Sequence, residues 1–192
     1  MHLLITVNAA WNIWNFRRSL VAGLLSDGHR ITILAPPDDA VPDLERLGCR
    51  FLPLDMRVKG VNPLEDLRLV RRFKTCFRTE RPDVVLSYTI KNNIFGAMAA
   101  DAVGVPFLPN VTGLGTAFLS GGLMQTVAER LYRRAFGPRQ VIFFQNEDDQ
   151  ALFVARRLAQ ARQSRLLPGS GIDLERFAAT PLPPPPSNRP YS

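Results

Sequence analysis

Residues 82–103 read PDVVLSYTIKNNIFGAMAADAV, and this stretch shows the pattern that decides the fold. The short, β-branched apolar run Val84–Ser87 predicts a buried strand. A polar turn follows, and the small and apolar residues of Asn92–Val103 then predict a helix. A strand followed at once by a helix is typical of parallel α/β architecture.

The same order of strand and helix repeats on both sides of this stretch. The other predicted strands are Leu3–Val7, Ile31–Ala35, Phe51–Leu54, Phe107–Pro109, Val141–Gln145 and Arg165–Leu167. The other predicted helices are Asn15–Ser26, Ala40–Leu47, Pro63–Glu80, Leu123–Phe136 and Glu147–Gln160. Because the strands are continuously apolar, we predict a single doubly wound, Rossmann-like parallel sheet with helices on both faces.

The length of 192 residues suits one domain, which we expect to span residues 1–177. Residues 178–192 are rich in proline and predict an extended, disordered tail. The first residues lack the basic segment of a signal peptide, so we expect a cytoplasmic protein. The charge-free stretch 102–128 could span a bilayer by length, but glycines and prolines interrupt it, and we reject that interpretation.

The chain carries 24 lysines and arginines against 17 acidic residues, a formal net charge of +7. This surplus favours an anionic partner, which composition leaves open among phosphates, an acidic lipid surface and nucleic acid. The helix Pro63–Glu80 is expected to bury Leu64 and Leu67 and to turn a basic face outward, either simply solvated or contacting an anionic membrane. No basic–aromatic groove supports nucleic-acid binding. Two cysteines and two histidines without ligand spacing predict no metal site.

Ligands of open α/β sheets bind beyond the carboxyl ends of the strands, so the residues after each predicted strand are candidates. After the first strand, Asn8, Trp11 and Asn15 offer hydrogen bonds and stacking for a sugar, where a dinucleotide fold would have glycines. The alternative is a capping loop with its tryptophans in the core. After the fourth strand, Lys91 and Asn92 at a helix N-terminus form either an anion site or a simple cap with an exposed lysine.

The later strands are also followed by candidate loops. Glycines at 113 and 115 either allow a ligand to approach the backbone closely or simply form a structural turn. The apolar residues Leu114, Phe118 and Leu119 of the same loop would suit a lipid tail. Asn146 and Glu147 are also candidates, although an amide cap before an acidic first turn is what helix stability alone predicts. The glycine-rich turn 167–173 is expected to line a phosphate-binding site or to form part of a domain hinge.

Seven segments in order give the chain a resemblance to the N-terminal domain of the family 4 glycosyltransferases, which have the GT-B fold. It is most similar to bacterial enzymes that add a sugar to an acceptor linked to undecaprenyl diphosphate. The segments are residues 15–17, 28–29, 82–85, 88–91, 112–115, 144–148 and 167–173, within residues 1–177. The loop after the first strand departs from many relatives, which carry glycines where this chain has Asn8-Ala9-Ala10-Trp11.

The resemblance implies an acceptor-binding half of a retaining hexosyltransferase used in the synthesis of surface polysaccharides or glycans. In such enzymes a second domain holds a nucleotide-sugar donor and carries two glutamates eight positions apart, a spacing that no two glutamates show here. We therefore expect the donor domain to be absent from this sequence and the chain to be inactive alone, without a cofactor of its own. No catalytic residue is predicted. The expected acceptor or cleft residues are Asn8, Trp11, Asn15, Arg17, Tyr88, Lys91, Asn92, Thr112, Gly113, Gly115, Asn146, Glu147, Gly169, Ser170 and Gly171.

The expected partners are a lipid-linked sugar acceptor, the inner face of the cytoplasmic membrane, and either a separately encoded donor domain or a second copy of the chain. Two other functions stay open. The chain could be a non-catalytic module that binds a lipid-linked sugar or a protein, or a fragment of a GT-B sugar-nucleotide epimerase. The segment 88–91 and the apolar glycine loop favour the lipid-linked acceptor over the epimerase.

Overall fold

A computed structural model describes residues 1–58, 60, 62–114, 122–138, 140–171, 173–174 and 176–179, without the side chains of 123 and 124. The prediction for residues 180–192 of the proline-rich tail lies outside this part of the chain, as do those for Gly115, Phe118 and Leu119.

Seven parallel strands form one sheet, which confirms the predicted fold class. They are β1 (His2–Thr6), β2 (Arg30–Ala35), β3 (Arg50–Pro53), β4 (Val84–Tyr88), β5 (Phe107–Val111), β6 (Ile142–Phe144) and β7 (Ser164–Leu166). Their order across the sheet is β3-β2-β1-β4-β5-β6-β7. Ile5 of β1 lies beside Ile33 on one side and Leu86 on the other. The chain adds strands outward on one side from β1 to β3 and on the other side from β4 to β7. The topological switch point therefore lies between the neighbouring strands β1 and β4.

The helices are α1 (Ala10–Phe16), α2 (Arg18–Ser26), α3 (Val41–Leu47), α4 (Pro63–Glu80), α5 (Ile90–Val103), α6 (Gly122–Ala135) and α7 (Glu147–Ala155), with a short 3-10 turn at Ala161–Gln163. Two apolar clusters cover the two faces of the sheet. Ile13, Val21 and Leu44 of the first three helices pack with Leu3, Ile5 and Ile33. Alternate strand residues such as Leu4 and Val85 point to the other face, where Phe73, Phe95 and Tyr132 pack on them.

The first helical region differs from the sequence prediction. The structure has two helices in place of one, and the first begins at Ala10 rather than Asn15. Asn15-Phe16-Arg17 therefore ends α1 and does not open the first helix. Arg17 lies between the two helices with φ −138° and ψ 10°, and its N–H bonds the Ile13 carbonyl to close α1. The predicted loop at residues 8–17 is largely helical.

Helix α4 has the predicted bounds but not all of the predicted burial. Asn62 Oδ1 accepts hydrogen bonds from the N–H groups of Leu64 (3.1 Å) and Glu65 (3.5 Å), which confirms the expected N-cap. Leu64 and Leu67 are 69% and 49% exposed, so the prediction that they are buried is wrong. Leu69, two residues after Leu67, points into the core instead and is 3% exposed. The buried face of α4 therefore carries Asp66, Leu69, Phe73 and Phe77.

The described residues lack both a membrane-spanning helix and a metal-binding cluster. None of the helices there combines the length and hydropathy needed to cross a bilayer. The same part of the chain holds no cluster of three or more histidine, cysteine, aspartate or glutamate side chains arranged to bind a metal ion.

Candidate functional site

The carboxyl ends of β1 and β4 meet at the switch point, where the two chain directions leave an open edge. Thr89 follows β4 directly and forms the N-cap of α5 with φ 73° and ψ 152°. This backbone region is otherwise used almost only by glycine, and it costs a β-branched residue about 1–3 kcal/mol. Such strain persists where the surroundings impose it, and it marks the end of β4 as a candidate site.

A cavity of about 320 Å³, here called the switch-point pocket, opens at this edge. Its walls combine polar groups with apolar side chains from the segment between β3 and α4. The lining residues are Asn8, Met56, Val58, Thr89, Ile90, Lys91, Thr112 and Gly113. Four of the predicted site residues, Asn8, Lys91, Thr112 and Gly113, therefore lie together. A mixed apolar wall with a few converging polar groups is typical of a small-molecule site.

Lys91 does not stand free in this pocket. Its Nζ lies 3.1 Å from Asp66 Oδ1 on α4, and both side chains are largely buried, at 16% and 11% exposed. An ammonium group has three N–H donors, so two remain for a ligand after the contact with Asp66. The pair is neutral overall, whereas an isolated lysine would favour an anion. The switch-point pocket is therefore better suited to hydroxyl groups than to an anion.

Asn92 occupies a different environment from the pocket residues. It is fully buried, its Nδ2 donates to Thr6 Oγ1 at 2.7 Å, and its Oδ1 accepts from Thr89 Oγ1 at 2.9 Å. Thr6 Oγ1 in turn donates to the Leu34 carbonyl at 2.9 Å. This chain of bonds ties the start of α5 to β1 and β2, so Asn92 fixes the strained turn at Thr89.

A second cavity of about 320 Å³, here called the arginine pocket, lies on the other side of the end of β4. The consecutive residues Tyr88 and Thr89 line one pocket each. The walls of the arginine pocket come from the junction of α1 and α2, the ends of β4 to β6, and the turn after β7. The lining residues include the predicted Asn15, Arg17, Tyr88, Gly169, Ser170 and Gly171, together with Arg18, Asn110 and Arg176.

Arg17 is the central cation of the arginine pocket. It is 7% exposed, and its guanidinium carbon lies 3.8 Å from the centre of the Tyr88 ring. It donates to Asn12 Oδ1 at 3.3 Å and to Ser170 Oγ at 3.4 Å. Burial lowers the pKa of Arg17, partly opposed by Tyr88, and burial raises the pKa of Tyr88, partly opposed by Arg17. The two side chains therefore share a desolvated site held by a cation–π contact.

The turn after β7 closes the arginine pocket. Gly169 and Gly171 have φ values of 80° and 67°, which glycine adopts without strain, and they present Ser170 between them. Ser170 Oγ also accepts from Gln145 Nε2 at 2.8 Å. Arg176 then returns to α1, where it donates to the Trp14 carbonyl at 3.2 Å and to Asn15 Oδ1 at 3.0 Å.

The remaining predicted residues lie outside both pockets. Trp11 is 53% exposed and packs edge-on against Phe16 at 5.5 Å. Asn146 caps α7, accepting from the Asp149 N–H at 2.7 Å and donating to Asp149 Oδ2 at 2.8 Å. Glu147 is exposed in the first turn of that helix. Capping accounts for Asn146, and an acidic residue in the first turn such as Glu147 interacts favourably with the helix dipole.

Several residues of the two pockets were not predicted. Asp66 and Arg176 are separated from their partners Lys91 and Asn15 by long stretches of chain, and no local pattern connects them. Met56 and Val58 follow an edge strand, which could have placed them at the same sheet edge. Asn110 was within reach of the sequence, because it directly follows the predicted fifth strand Phe107–Pro109.

Comparisons with known proteins agree with this fold. The family model described as "Glycosyl transferase 4-like domain" matches residues 13–169. An N,N'-diacetylbacillosaminyl-diphospho-undecaprenol α-1,3-N-acetylgalactosaminyltransferase from Campylobacter jejuni is 23% identical over 175 residues, covering 88% of this chain and 46% of the relative. The chain thus spans about half the length of this relative.

Solved structures share the fold over a similar span. HepE from Anabaena, in complex with UDP-glucose, superposes with a TM-score of 0.64 at 15% identity, covering 94% of this chain and 47% of that one. The UDP-GlcNAc 2-epimerase from Methanocaldococcus jannaschii gives 0.57 at 12% identity, with 86% and 45% covered. At such identities the structures establish the fold alone. The family match over most of the sequence shows more: the chain belongs to the glycosyl transferase 4-like domain family.

Proposed function

We propose that this chain is the acceptor-binding half of a retaining glycosyltransferase that acts on a lipid-linked saccharide. The observation that carries the proposal is the switch-point pocket, where Asn8, Lys91 and Thr112 meet the apolar side chains of Met56 and Val58. The polar groups of the lining suit sugar hydroxyls, and its apolar groups suit the start of a lipid chain. The Campylobacter relative is named for a lipid-linked acceptor of this kind.

Lys91 is the residue expected to orient the sugar. Asp66 holds its ammonium group in place, so the two remaining N–H donors have fixed directions. Gly113 lets the backbone approach the same ligand. A group held in this way contributes by positioning the acceptor hydroxyl, and positioning supplies much of the rate in a reaction between two bound substrates.

The donor would be a nucleotide-sugar held by a second domain, either from the same protein, from a separate chain or through self-association. Departure of a nucleoside diphosphate requires stabilisation of its developing charge, which we assign to that second domain. The retaining outcome and the role in surface polysaccharide synthesis are part of the proposal and follow from the family resemblance.

We also propose that α4 contacts an anionic membrane beside the pocket. Leu64 and Leu67 are exposed at the start of this helix. Val58, in the segment before the helix, is also exposed and lines the switch-point pocket. Arg68 and Arg71 follow on the same exposed stripe. An apolar tip with a basic surround suits the interface of an acidic bilayer, and it would leave the lipid of the acceptor in the membrane.

Calorimetric titration with a short-chain polyprenyl-diphosphate sugar and, separately, with a UDP-sugar tests the acceptor assignment. We expect the lipid-linked sugar to bind and Lys91→Gln to weaken it about tenfold or more, the loss of one charged hydrogen bond. Lys74→Gln on α4 is the matched control and should bind as the wild type does. Because Lys91→Gln leaves Asp66 unpaired, Asn8→Ala provides a second test. Binding of the UDP-sugar alone, or of neither ligand, would overturn the assignment.

Flotation with vesicles of phosphatidylglycerol and phosphatidylcholine tests the membrane contact. The double variant Leu64→Ser/Leu67→Ser should lose most of its binding, whereas Leu174→Ser, which changes a leucine that is 74% exposed elsewhere, should not. Equal binding of all three proteins would exclude α4 as the contact.

Two alternatives remain from the sequence. The epimerase fragment is favoured only by a shared fold, and its test is binding of a UDP-sugar without any affinity for the lipid-linked sugar. A non-catalytic module would bind the lipid-linked sugar, yet give no transfer when every candidate donor domain is supplied.

A further inference from the structure

Arginines are concentrated at the amino edge of the sheet, opposite the edge that holds both pockets. In parallel α/β folds the helices run from the carboxyl edge of the sheet back to its amino edge, so α6 and α7 both end there. Basic side chains stand in the last turn of α6, directly after α7, in the 3-10 turn and on β7, the last strand of the sheet. This group, here called the amino-edge surface, consists of Arg133, Arg134, Arg156, Arg157, Arg162 and Arg165.

Contacts between these segments hold the amino-edge surface together. Gln163 Nε2 of the 3-10 turn donates to the Gly137 carbonyl, just beyond the end of α6, at 3.2 Å. Glu129 of α6 pairs with Arg133 at 3.1 Å and with Arg156 at the end of α7. Strand β7 follows the 3-10 turn directly. The six arginines therefore lie on segments that are in contact or adjacent in the chain, and one partner can reach them together.

The positive charge of this surface is largely uncompensated. Glu129 is the single acidic residue within 129–137 and 155–166, the described segments that carry the six arginines. None of the ion pairs formed by the described residues includes Arg134, Arg157, Arg162 or Arg165. The acidic first turn of α7 stands at the other end of that nine-residue helix, about 13 Å away. Helix dipoles favour arginines in the last turns, but they do not account for Arg165, which is on a strand.

The side chains around the arginines indicate which kind of anion fits. The aromatic rings of Tyr132, Phe136 and Phe153 are 1%, 7% and 0% exposed, so these rings cannot stack on nucleic-acid bases. Leu166, the last residue of β7, is the single large apolar side chain exposed within the same described segments. A bilayer interface requires an apolar face beside the charges. Carboxylates fit without either feature, because each accepts two parallel hydrogen bonds from a guanidinium.

We propose that the amino-edge surface is a docking site for an acidic, extended segment of a partner protein. Its charges are distributed over two helix ends, a turn and an edge strand, so several carboxylates spaced along one chain match them better than a single small anion. Both pockets open at the opposite edge of the sheet, so the acidic segment and a pocket ligand can be bound at the same time. The site goes beyond the proposed acceptor function and does not depend on it.

Fluorescence anisotropy of a labelled peptide of alternating glutamate and serine, titrated with the 192-residue chain, tests this site. We expect saturable binding that weakens as salt is raised, because exposed charges are screened. The triple variant Arg134→Gln/Arg157→Gln/Arg162→Gln should raise the Kd about tenfold or more, since each lost guanidinium removes a charge-assisted hydrogen bond.

The matched control removes the same charge at exposed positions elsewhere. It is the triple variant Arg57→Gln/Arg71→Gln/Arg78→Gln, which lowers the net charge equally and should raise the Kd less than about threefold. Circular dichroism checks that the first triple variant is folded. If it is not, Arg162→Gln alone, at an exposed position, should raise the Kd about twofold to threefold.

Titration with duplex RNA and flotation with phosphatidylglycerol vesicles distinguish the classes of partner. Peptide binding that is lost in the amino-edge variant and kept in the control supports the proposal. Equal Kd values for these two variants, or the absence of saturable peptide binding at low salt, would overturn it. Loss of RNA or vesicle binding in the amino-edge variant without loss of peptide binding would also overturn it, and would assign the surface to that other partner.

Discussion

Replacing Gly96 with alanine separates helix propensity from core packing. Gly96 lies buried within α5, and an added Cβ would stand 2.8 Å from Phe107 Cζ and 2.9 Å from Phe107 Cε2. Carbon atoms pack best at about 3.5–4.0 Å, so the helix and the ring would have to separate by about 0.7 Å. The Phe107 ring is 4% exposed and packs against Phe77 at 6.5 Å, so it cannot move into solvent.

Propensity and packing predict opposite signs for this change. Glycine to alanine within a helix ordinarily stabilises by about 0.5–1 kcal/mol. Overpacking a closed core costs about 1–3 kcal/mol. We therefore expect Gly96→Ala to lower the free energy of unfolding by about 1–2 kcal/mol, which shifts the urea midpoint down by about 0.5–1 M.

Urea unfolding followed by circular dichroism measures this shift. The control is Gly23→Ala in α2, where a new Cβ meets nothing within 4 Å, and it should stabilise by about 0.5–1 kcal/mol. In the background of Phe107→Leu, the Gly96→Ala change should cost much less, because the clashing ring is gone. A Gly96→Ala midpoint equal to or above the wild type would refute the packing argument.

Other predictions concern the thiols, His2, Thr89 and activity. Burial raises the pKa of Cys49 to about 11 and of Cys76 to about 12, so at pH 8 iodoacetamide should label the native thiols far more slowly than the unfolded ones; equal rates would contradict this. Burial lowers the pKa of His2, so the neutral ring is favoured on folding: its stabilisation is present above the unfolded pKa of about 6.5 and is lost as the pH falls through the lower folded value. His2→Gln should flatten that pH dependence in thermal unfolding, and an unchanged profile would exclude His2 as its source. Thr89→Gly relieves strain that Thr89→Val keeps, and both lose the hydrogen bond to Asn92, so the glycine variant should have the higher Tm; the reverse order would argue against strain. The purified 192-residue chain should give no measurable sugar transfer from a UDP-sugar to a lipid-linked acceptor, and a clear rate would show that a second domain is not required.

The sheet was predictable because each strand is a local apolar run bounded by turn residues. All seven predicted strands exist, and the bounds of α4 follow from Asn62 and Pro63 before it and the turn at Arg81-Pro82 after it. The positions beyond β1, β4 and β5 were predictable for the same reason, since parallel strands bring their carboxyl ends to one edge. Asn8, Lys91 and Thr112 are brought together in this way.

The division into two pockets was not predictable, because it depends on contacts between distant segments. The position of Lys91 at a helix N-terminus suggested a free cation, because the sequence does not show that Asp66 on another helix pairs with it. Leu64 and Leu67 fit an inward stripe by spacing, but spacing does not reveal where the core ends. These errors share one cause: periodicity specifies which residues share a face, while burial also depends on what covers that face.

The break between α1 and α2 shows the same limit and links it to the arginine pocket. Residues 15–19 contain neither glycine nor proline, so the local sequence gives no reason for two helices instead of one. The interruption lies at Arg17, whose guanidinium stacks on Tyr88 and reaches Ser170 of the turn after β7. These tertiary contacts accompany the non-helical conformation of Arg17 at the break. The break also frees the first N–H groups of α2 beside the cavity. The residue that interrupts the helix thus also contributes a buried positive charge to the pocket, and a substitution there changes the shape and the electrostatics of the site together.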